Sequence, residues 1–171
     1  MEEIQLIELK PEDTQRASEL AATAREIWTE HYTPIIGAAQ VEYMLDKFQS
    51  AEAILRDISS NGYRYFIAYN GQKQAGYFAI KPDYDAGGLF LSKLYIKKSY
   101  RGLGISRLML DKQILIAKEN KLSHIWLTVN KNNNSVKIYR KLGFEVVEEM
   151  VTDIGDGFVM DDYRMKLTIQ A

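Results

Sequence analysis

Leu94-Tyr95-Ile96-Lys97-Lys98-Ser99-Tyr100-Arg101-Gly102-Leu103-Gly104-Ile105-Ser106-Arg107 opens as an apolar strand, turns through a basic segment with two glycines, and enters a helix. The glycines let the backbone turn tightly and come close to a ligand. The first amides of a helix have no internal acceptor and sit at the positive end of its dipole. A strand, a glycine turn and a helix start in that order make a site for phosphate or pyrophosphate. A plain strand-helix turn, with the glycines serving geometry alone, has the same outline. Two rival phosphate motifs fail. A Walker loop needs Gly-Lys-Ser/Thr, and Ile105-Ser106 follows Gly104. A dinucleotide fingerprint needs a third glycine where Arg107 stands, and no following strand offers an acid for a ribose.

Outward from this run, the strand extends back to Leu89 and the helix forward to about Asn120, with Leu108, Leu110, Ile114, Leu115 and Ala117 as its apolar side. Upstream, Tyr63–Tyr69 and Lys73–Lys81 read as strands around Asn70-Gly71, a strong hairpin signal. The first third is mostly helical after a short strand at Ile4–Glu8. Pro11-Glu12-Asp13 starts a helix that ends near His31, broken by Thr33-Pro34, and two more follow from Gly37 and from Ala51 to Ile58. Downstream come a strand at His124–Val129, a short helix at Asn134–Leu142 closed by Gly143, and strands at Phe144–Val151 and Phe158–Thr168 around an Asp153–Gly157 turn region. The order predicts an α+β fold: a mixed, mostly antiparallel central sheet of about seven strands flanked by helices, one domain over residues 1–171.

The chain has 171 residues, 46% hydrophobic and 26% charged, which suits a globular domain with a full core. It has no cysteine, which removes disulfides, thiolate metal sites and a covalent cysteine intermediate, and fits a reducing compartment. A net charge of −1 argues against a dedicated nucleic-acid partner. There is no apolar run of membrane length, and Met1-Glu2-Glu3 is a poor start for a signal peptide. Nothing reads as a metal site. A cytoplasmic protein with a small-molecule partner, no nucleic acid and no membrane is expected; a homodimer stays open.

A second block decides between the readings of the glycine turn. After Ile125-Trp126-Leu127-Thr128-Val129 comes Asn130-Lys131-Asn132-Asn133-Asn134-Ser135-Val136-Lys137-Ile138-Tyr139-Arg140-Lys141-Leu142-Gly143-Phe144. With Arg101-x-x-Gly104-x-Ser106, this pattern resembles the GNAT superfamily of acyl-CoA-dependent N-acetyltransferases. Ser106 stands where that family usually has Gly or Ala, and is still small. The specific motifs occupy about residues 89–168.

The resemblance implies acetyl-CoA as co-substrate. Its pantetheine arm lies along Leu94, Tyr95 and Ile96 like an added strand. Its pyrophosphate rests on Arg101, Gly102, Leu103, Gly104, Ile105 and Ser106; Arg107, Asn130, Asn132, Asn134 and Lys141 are further cofactor-binding residues. Charge agrees: residues 86–110 hold Lys93, Lys97, Lys98, Arg101 and Arg107 and no acid, and residues 120–144 are likewise basic without an acid. The resemblance also makes Tyr139 the acid that protonates the departing CoA sulfur. A phenol of reference pKa about 10 can donate to a thiolate near 8.5. With no cysteine, direct attack by the amine in a ternary complex is the natural route.

The acceptor side is read from charge. From Glu145 to Asp162 the chain carries seven acids and no Lys or Arg, which would attract a polycation. An acidic hairpin that merely keeps a turn in solution is the plainer alternative. Asp153–Tyr163 resembles the end of bacterial PaiA-type spermine/spermidine acetyltransferases, and Thr33-Pro34-Ile35-Ile36-Gly37 resembles diamine acetyltransferases. Asp161 and Asp162, with Glu30, His31 and Tyr32 at the end of the first helix, are the candidate substrate-binding residues. The proton acceptor is open among Glu30, His31, Tyr32, the hairpin acids and a water relay. The expected function is acetyl transfer to a polyamine or diamine. The alternatives are a protein N-terminal or lysine acetyltransferase and a non-catalytic acyl-CoA-binding regulatory module.

Overall fold

The computed structural model describes residues 3–170; Met1 and Glu2, part of the signal-peptide argument, lie outside the described residues. The elements are β1 (Ile4–Glu8), α1 (Thr14–Ile36), α2 (Ala38–Phe48), α3 (Ala51–Ser60), β2 (Arg64–Asn70), β3 (Lys73–Asp83), β4 (Gly88–Ile96), a single 3-10 turn (Lys98–Tyr100), α4 (Ile105–Glu119), β5 (His124–Asn130), α5 (Ser135–Lys141), β6 (Glu145–Gly155) and β7 (Phe158–Thr168). The seven strands hydrogen-bond in the order β1-β2-β3-β4-β5-β7-β6. The fold is α+β with a mostly antiparallel sheet, as the sequence predicts. Two compact units divide the chain: Met1–Lys81 with Lys93–Met109, and Pro82–Ser92 with Leu110–Ala171. Among the described residues no helix is long and apolar enough to cross a membrane.

In the first unit, α1 buries Ala17, Leu20, Thr23, Ala24, Ile27 and Trp28, the three- and four-residue spacing of one helical face. Burying a side chain such as Leu20 contributes roughly 1.5–3 kcal/mol. The helix runs through Pro34 to Ile36, past the end expected near His31. Proline lacks only the bond to the carbonyl four residues back, and the helix needs just two residues more. Gly37, at φ 88°, closes it with N–H to the Thr33 carbonyl at 2.9 Å. Asp13 does not cap α1; its carboxylate accepts from Lys10 N–H at 3.0 Å. Ser50 does cap α3, accepting from Ala53 N–H at 3.1 Å.

Strands β2 and β3 are buried on both faces: Tyr65 and Tyr77 point one way, Phe66 and Phe78 the other, the phenylalanine rings 5.0 Å apart. Asn70 pairs with Lys73, so the turn is Gly71-Gln72 rather than Asn70-Gly71, with positive φ at Gly71 alone, as a type II′ turn requires. Gly76 is a close approach. A Cβ there would lie 2.4 Å from the Tyr95 carbonyl oxygen.

In the second unit, β4 pairs in parallel with β5 over Gly88–Phe90 and His124–Trp126, where the ladder ends. The core holds Leu89, Ile125, Leu127, Phe144 and Met165. β6 extends to Gly155, beyond the expected Val151, because Asp156 and Gly157 both take positive φ in a two-residue turn of the I′ kind.

Candidate active site

In the first unit, the strand-turn-helix run has the predicted layout. Arg101 Nε donates to the Ile96 carbonyl at 3.0 Å, tying the turn to the end of β4. Gly102 and Gly104 have φ of 77° and 82°, and a Cβ on either would meet nothing within 4 Å, so both serve the backbone's left-handed turns and face open space. The first bond of the α4 ladder runs from Leu108 N–H to the Gly104 carbonyl at 3.1 Å. The amides of Ile105, Ser106 and Arg107 precede it and supply the positive helix end. Ile105 is buried, while Arg101, Gly102, Leu103, Gly104 and Arg107 are exposed.

Glu30, His31 and Tyr32 lie inside α1, a turn or more before its end. Tyr32 is part of an aromatic group. Its ring centroid is 4.2 Å from Trp28 and 6.0 Å edge-on from Tyr95, and His31 meets it edge-on at 4.8 Å. The structure thus brings a predicted acceptor residue, Tyr32, to a predicted cofactor-strand residue, Tyr95. Glu30 instead lines a cavity of about 270 Å³ with Glu26, Ile27, Lys97, Lys98 and Ser99. Lys97 is held by Glu26 at 3.1 Å, which occupies one of the expected cofactor-side cations.

Lys93 is a second such case. It is buried, its Nζ donates to the Phe48 carbonyl at the end of α2 and to Tyr65 Oη at 2.6 Å, and it lies 4.0 Å from Asp57. Tyr65 in turn donates to Asp57 at 2.8 Å. Burial pulls the ammonium down to about 8, with Asp57 acting in the opposite sense. The sequence counts Lys93 only as a cation near the glycine turn; nothing local marks it as buried.

In the second unit, Asn130 Oδ1 accepts from Asn132 N–H at 2.9 Å, and Asn132, Asn134 and Lys141 are exposed. Asn133, which sequence reasoning missed, is the buried member of the asparagine run: its Oδ1 accepts from Ser135 N–H at 2.9 Å and starts α5. The signal was present, since an asparagine two residues before a helix start favours such a turn. Tyr139 is buried, its ring edge-on to Phe144 at 5.5 Å, and Phe144 N–H bonds the Tyr139 carbonyl at 3.0 Å.

The acidic hairpin is less bare than its sequence suggests. Lys131 Nζ reaches Asp161 at 2.9 Å and Glu149 at 3.2 Å, and Arg164 lies 3.8 Å from Glu148. Asp153 turns to Gly155 N–H at 2.8 Å. Asp162 differs from all of these. It is 3% exposed, and its Oδ1 has no hydrogen-bond partner. Burial first, then the adjacent Asp161 charge, push its carboxyl up to about 6 against the pull of Lys131. Among the described residues no cluster of His, Cys, Asp or Glu could hold a metal ion.

Residues 32–167 match the family model described as an acetyltransferase (GNAT) domain, about four fifths of the chain. The chain is 34% identical over 58 residues to the ribosomal protein bS18-alanine N-acetyltransferase of Haemophilus influenzae, covering 34% of this chain and 40% of that one. It is 26% identical over 95 residues to thialysine N-epsilon-acetyltransferase of Caenorhabditis elegans, covering 53% and 59%. The matches span about half the length of these curated relatives. The crystal structure of PaiA N-acetyltransferase from Thermoplasma acidophilum, in complex with coenzyme A, superposes with a TM-score of 0.78 at 24% identity, over 97% of this chain and 99% of that one. At that identity the likeness shows the fold.

Proposed function

The chain belongs to the GNAT acetyltransferase family, and from that premise we propose that it moves the acetyl group of acetyl-CoA to a primary amine, with a polyamine or diamine as acceptor. The observation that carries the acetyl-CoA reading is the Arg101–Arg107 run: two glycines at positive φ lead into a helix whose first amides lie outside its ladder. A pyrophosphate is the ligand such a turn suits. In this reading the pantetheine arm lies along Leu94-Tyr95-Ile96, and Asn130, Asn132, Asn134 and Lys141 contact the same substrate.

The neutral amine attacks the thioester carbonyl, a C–N bond forms and the C–S bond breaks. Tyr139 gives its phenolic proton to the leaving thiolate. A backbone N–H of the Leu94–Ile96 strand faces the oxyanion. Glu30, His31 and Tyr32 of the first unit and, separately, the β6–β7 acids of the second are the candidate acceptor contacts, and the work is done in the cytoplasm. The polyamine preference is supported by the acidic hairpin, whose Asp162 keeps one oxygen without a donor. The PaiA N-acetyltransferase of Thermoplasma acidophilum, similar in fold and crystallised in complex with coenzyme A, supports the acetyl-CoA part of the reading. A protein acceptor is the second reading, favoured by the likeness to an enzyme of ribosomal-protein alanine acetylation.

The test is an amine panel with acetyl-CoA, reading free thiol: spermidine, spermine, diamines, monoamines, and peptides with free N-termini or lysines. Spermidine or a diamine should give the highest kcat/KM. Better turnover of peptides transfers the assignment to protein acetylation. A protein that releases no thiol with any of these amines is left as an acyl-CoA-binding module.

A further inference from the structure

Among the described residues of the acidic hairpin, Asp162 is the one acid that is buried and has a carboxylate oxygen, Oδ1, without a hydrogen-bond partner. Its neighbour Asp161 is committed to Lys131 at 2.9 Å, and that contact is anchored by Lys131 N–H on the Asp161 carbonyl at 3.1 Å. Across the ladders Asp162 pairs with Asn130 of β5 on one side and Met150 of β6 on the other. Neither side chain is a cation. A buried carboxylate without a donor is costly to keep ionised, and a protonated amine is the ligand whose chemistry removes that cost.

The place of the residue separates two roles. Asn130 ends β5 and begins the Asn130–Asn134 segment that the proposed reading gives to acetyl-CoA. Asp162 therefore shares a ladder rung with the first residue of that segment. An anchor for a remote ammonium would instead lie farther out, towards Asp153 and Asp156 at the hairpin turn. We propose that the Asp162 carboxylate, from its rung opposite Asn130, takes the proton from the ammonium nitrogen of the acceptor before that nitrogen attacks the thioester. The inference rests on the acetyl-transfer reading above.

The protons balance. The ammonium gives one proton to Asp162 and becomes the neutral nucleophile, and Asp162 returns that proton to water. After attack, the second nitrogen proton replaces the one Tyr139 has given to the thiolate. The products are the amide, CoA thiol and one released proton. A carboxyl raised to about 6 is ionised at neutral pH and so ready to accept. The charged groups around it are Asp161 and Arg164 on its own strand, Lys131 after β5, and Glu148 and Glu149 on β6.

The experiment measures kcat/KM for spermidine and for a simple monoamine from pH 5 to 9, in the wild type and in Asp162→Asn. If Asp162 is the proton acceptor, the wild-type profile rises to a plateau above about pH 6, because carboxylate and ammonium are then both present. Asp162→Asn falls about 10²–10⁴-fold at pH 7 and climbs tenfold per pH unit to pH 9, since only free amine then reacts. The loss appears with both amines. Asparagine is isosteric and removes no hydrogen bond; as a second variant, Asp162→Ala should regain activity with added formate and not with chloride. Parallel pH profiles overturn the proposal, as does a loss confined to the spermidine KM and absent with the monoamine, which would make Asp162 an anchor. A wild type that releases no thiol with any amine overturns the acetyl-transfer reading itself, and the proposal with it.

Discussion

Lys131 Nζ sits 2.9 Å from Asp161 Oδ1, one strand over from the acids that a polyamine would meet. The same ammonium holds Glu149 at 3.2 Å, so a single lysine occupies two of the seven hairpin acids. Lys131→Met should release both. Spermidine KM should fall by about two- to fivefold, the scale of an exposed ion pair, and its salt dependence should steepen. Lys131 also holds the Asp162 carboxyl down, so the rise of kcat/KM with pH should move to higher pH in this variant. An unchanged spermidine KM at low ionic strength would mean that these acids do not hold the acceptor.

Gly104 carries φ 82° in the glycine turn. A β-branched residue there is strained by roughly 1–2 kcal/mol and would set two methyl groups where the loop faces open space. Gly104→Val should lower CoA affinity at least about tenfold, roughly 1.4 kcal/mol, in calorimetry. Circular dichroism should show the fold intact, because apart from the adjoining residues nothing lies within 4 Å of the new Cβ.

Tyr139 tests the leaving-group step. Tyr139→Phe keeps the ring that meets Phe144 and removes only the hydroxyl. The expected change is a fall in kcat of about 10²–10⁴-fold, with the acetyl-CoA KM little altered. Turnover within about threefold of wild type, on a substrate whose chemistry is rate-limiting, would assign the proton to another donor.

The glycine turn was legible in the sequence because its physics is local: positive φ at Gly102 and Gly104 and a helix start lie within a few residues. The β2–β3 hairpin was legible for the same reason, although its turn residues are Gly71 and Gln72 rather than Asn70 and Gly71. Pro34 misled because a proline two residues before a helix end costs one bond rather than the helix. The acidic hairpin looked uncompensated because its partners are remote in sequence: Arg164 comes beside Glu148 only through the β6–β7 register, and Lys131 through the end of β5. Asp162 was legible as an acid of the hairpin, but its burial depends on two ladders at once. The Lys93–Tyr65–Asp57 group joins positions up to 36 apart in sequence across β4, β2 and α3. No window of sequence contains it.

That group yields a stability prediction whose sign can be worked out. Lys93 has its folded pKa pulled down to about 8 from an ordinary value of 10.5, chiefly by burial. Between those values the unfolded chain binds the proton more tightly than the folded one, so stability attributable to Lys93 rises with pH across that window. The cost of the buried charge is fully present below about pH 8, fades as the ammonium deprotonates in the fold, and is gone above about 10.5. Lys93→Met removes the titration, and it also leaves the Phe48 carbonyl and Tyr65 Oη without this donor. Urea unfolding of both proteins at pH 7 and pH 9.5 separates the two effects. The lost hydrogen bonds give an offset common to both pH values, whereas the titration gives a difference between them. The wild type should gain about 1–3 kcal/mol relative to Lys93→Met on going from pH 7 to 9.5. A gap that stays constant would show that Lys93 keeps an ordinary pKa in the fold, and that Asp57 and Tyr65 compensate its burial completely.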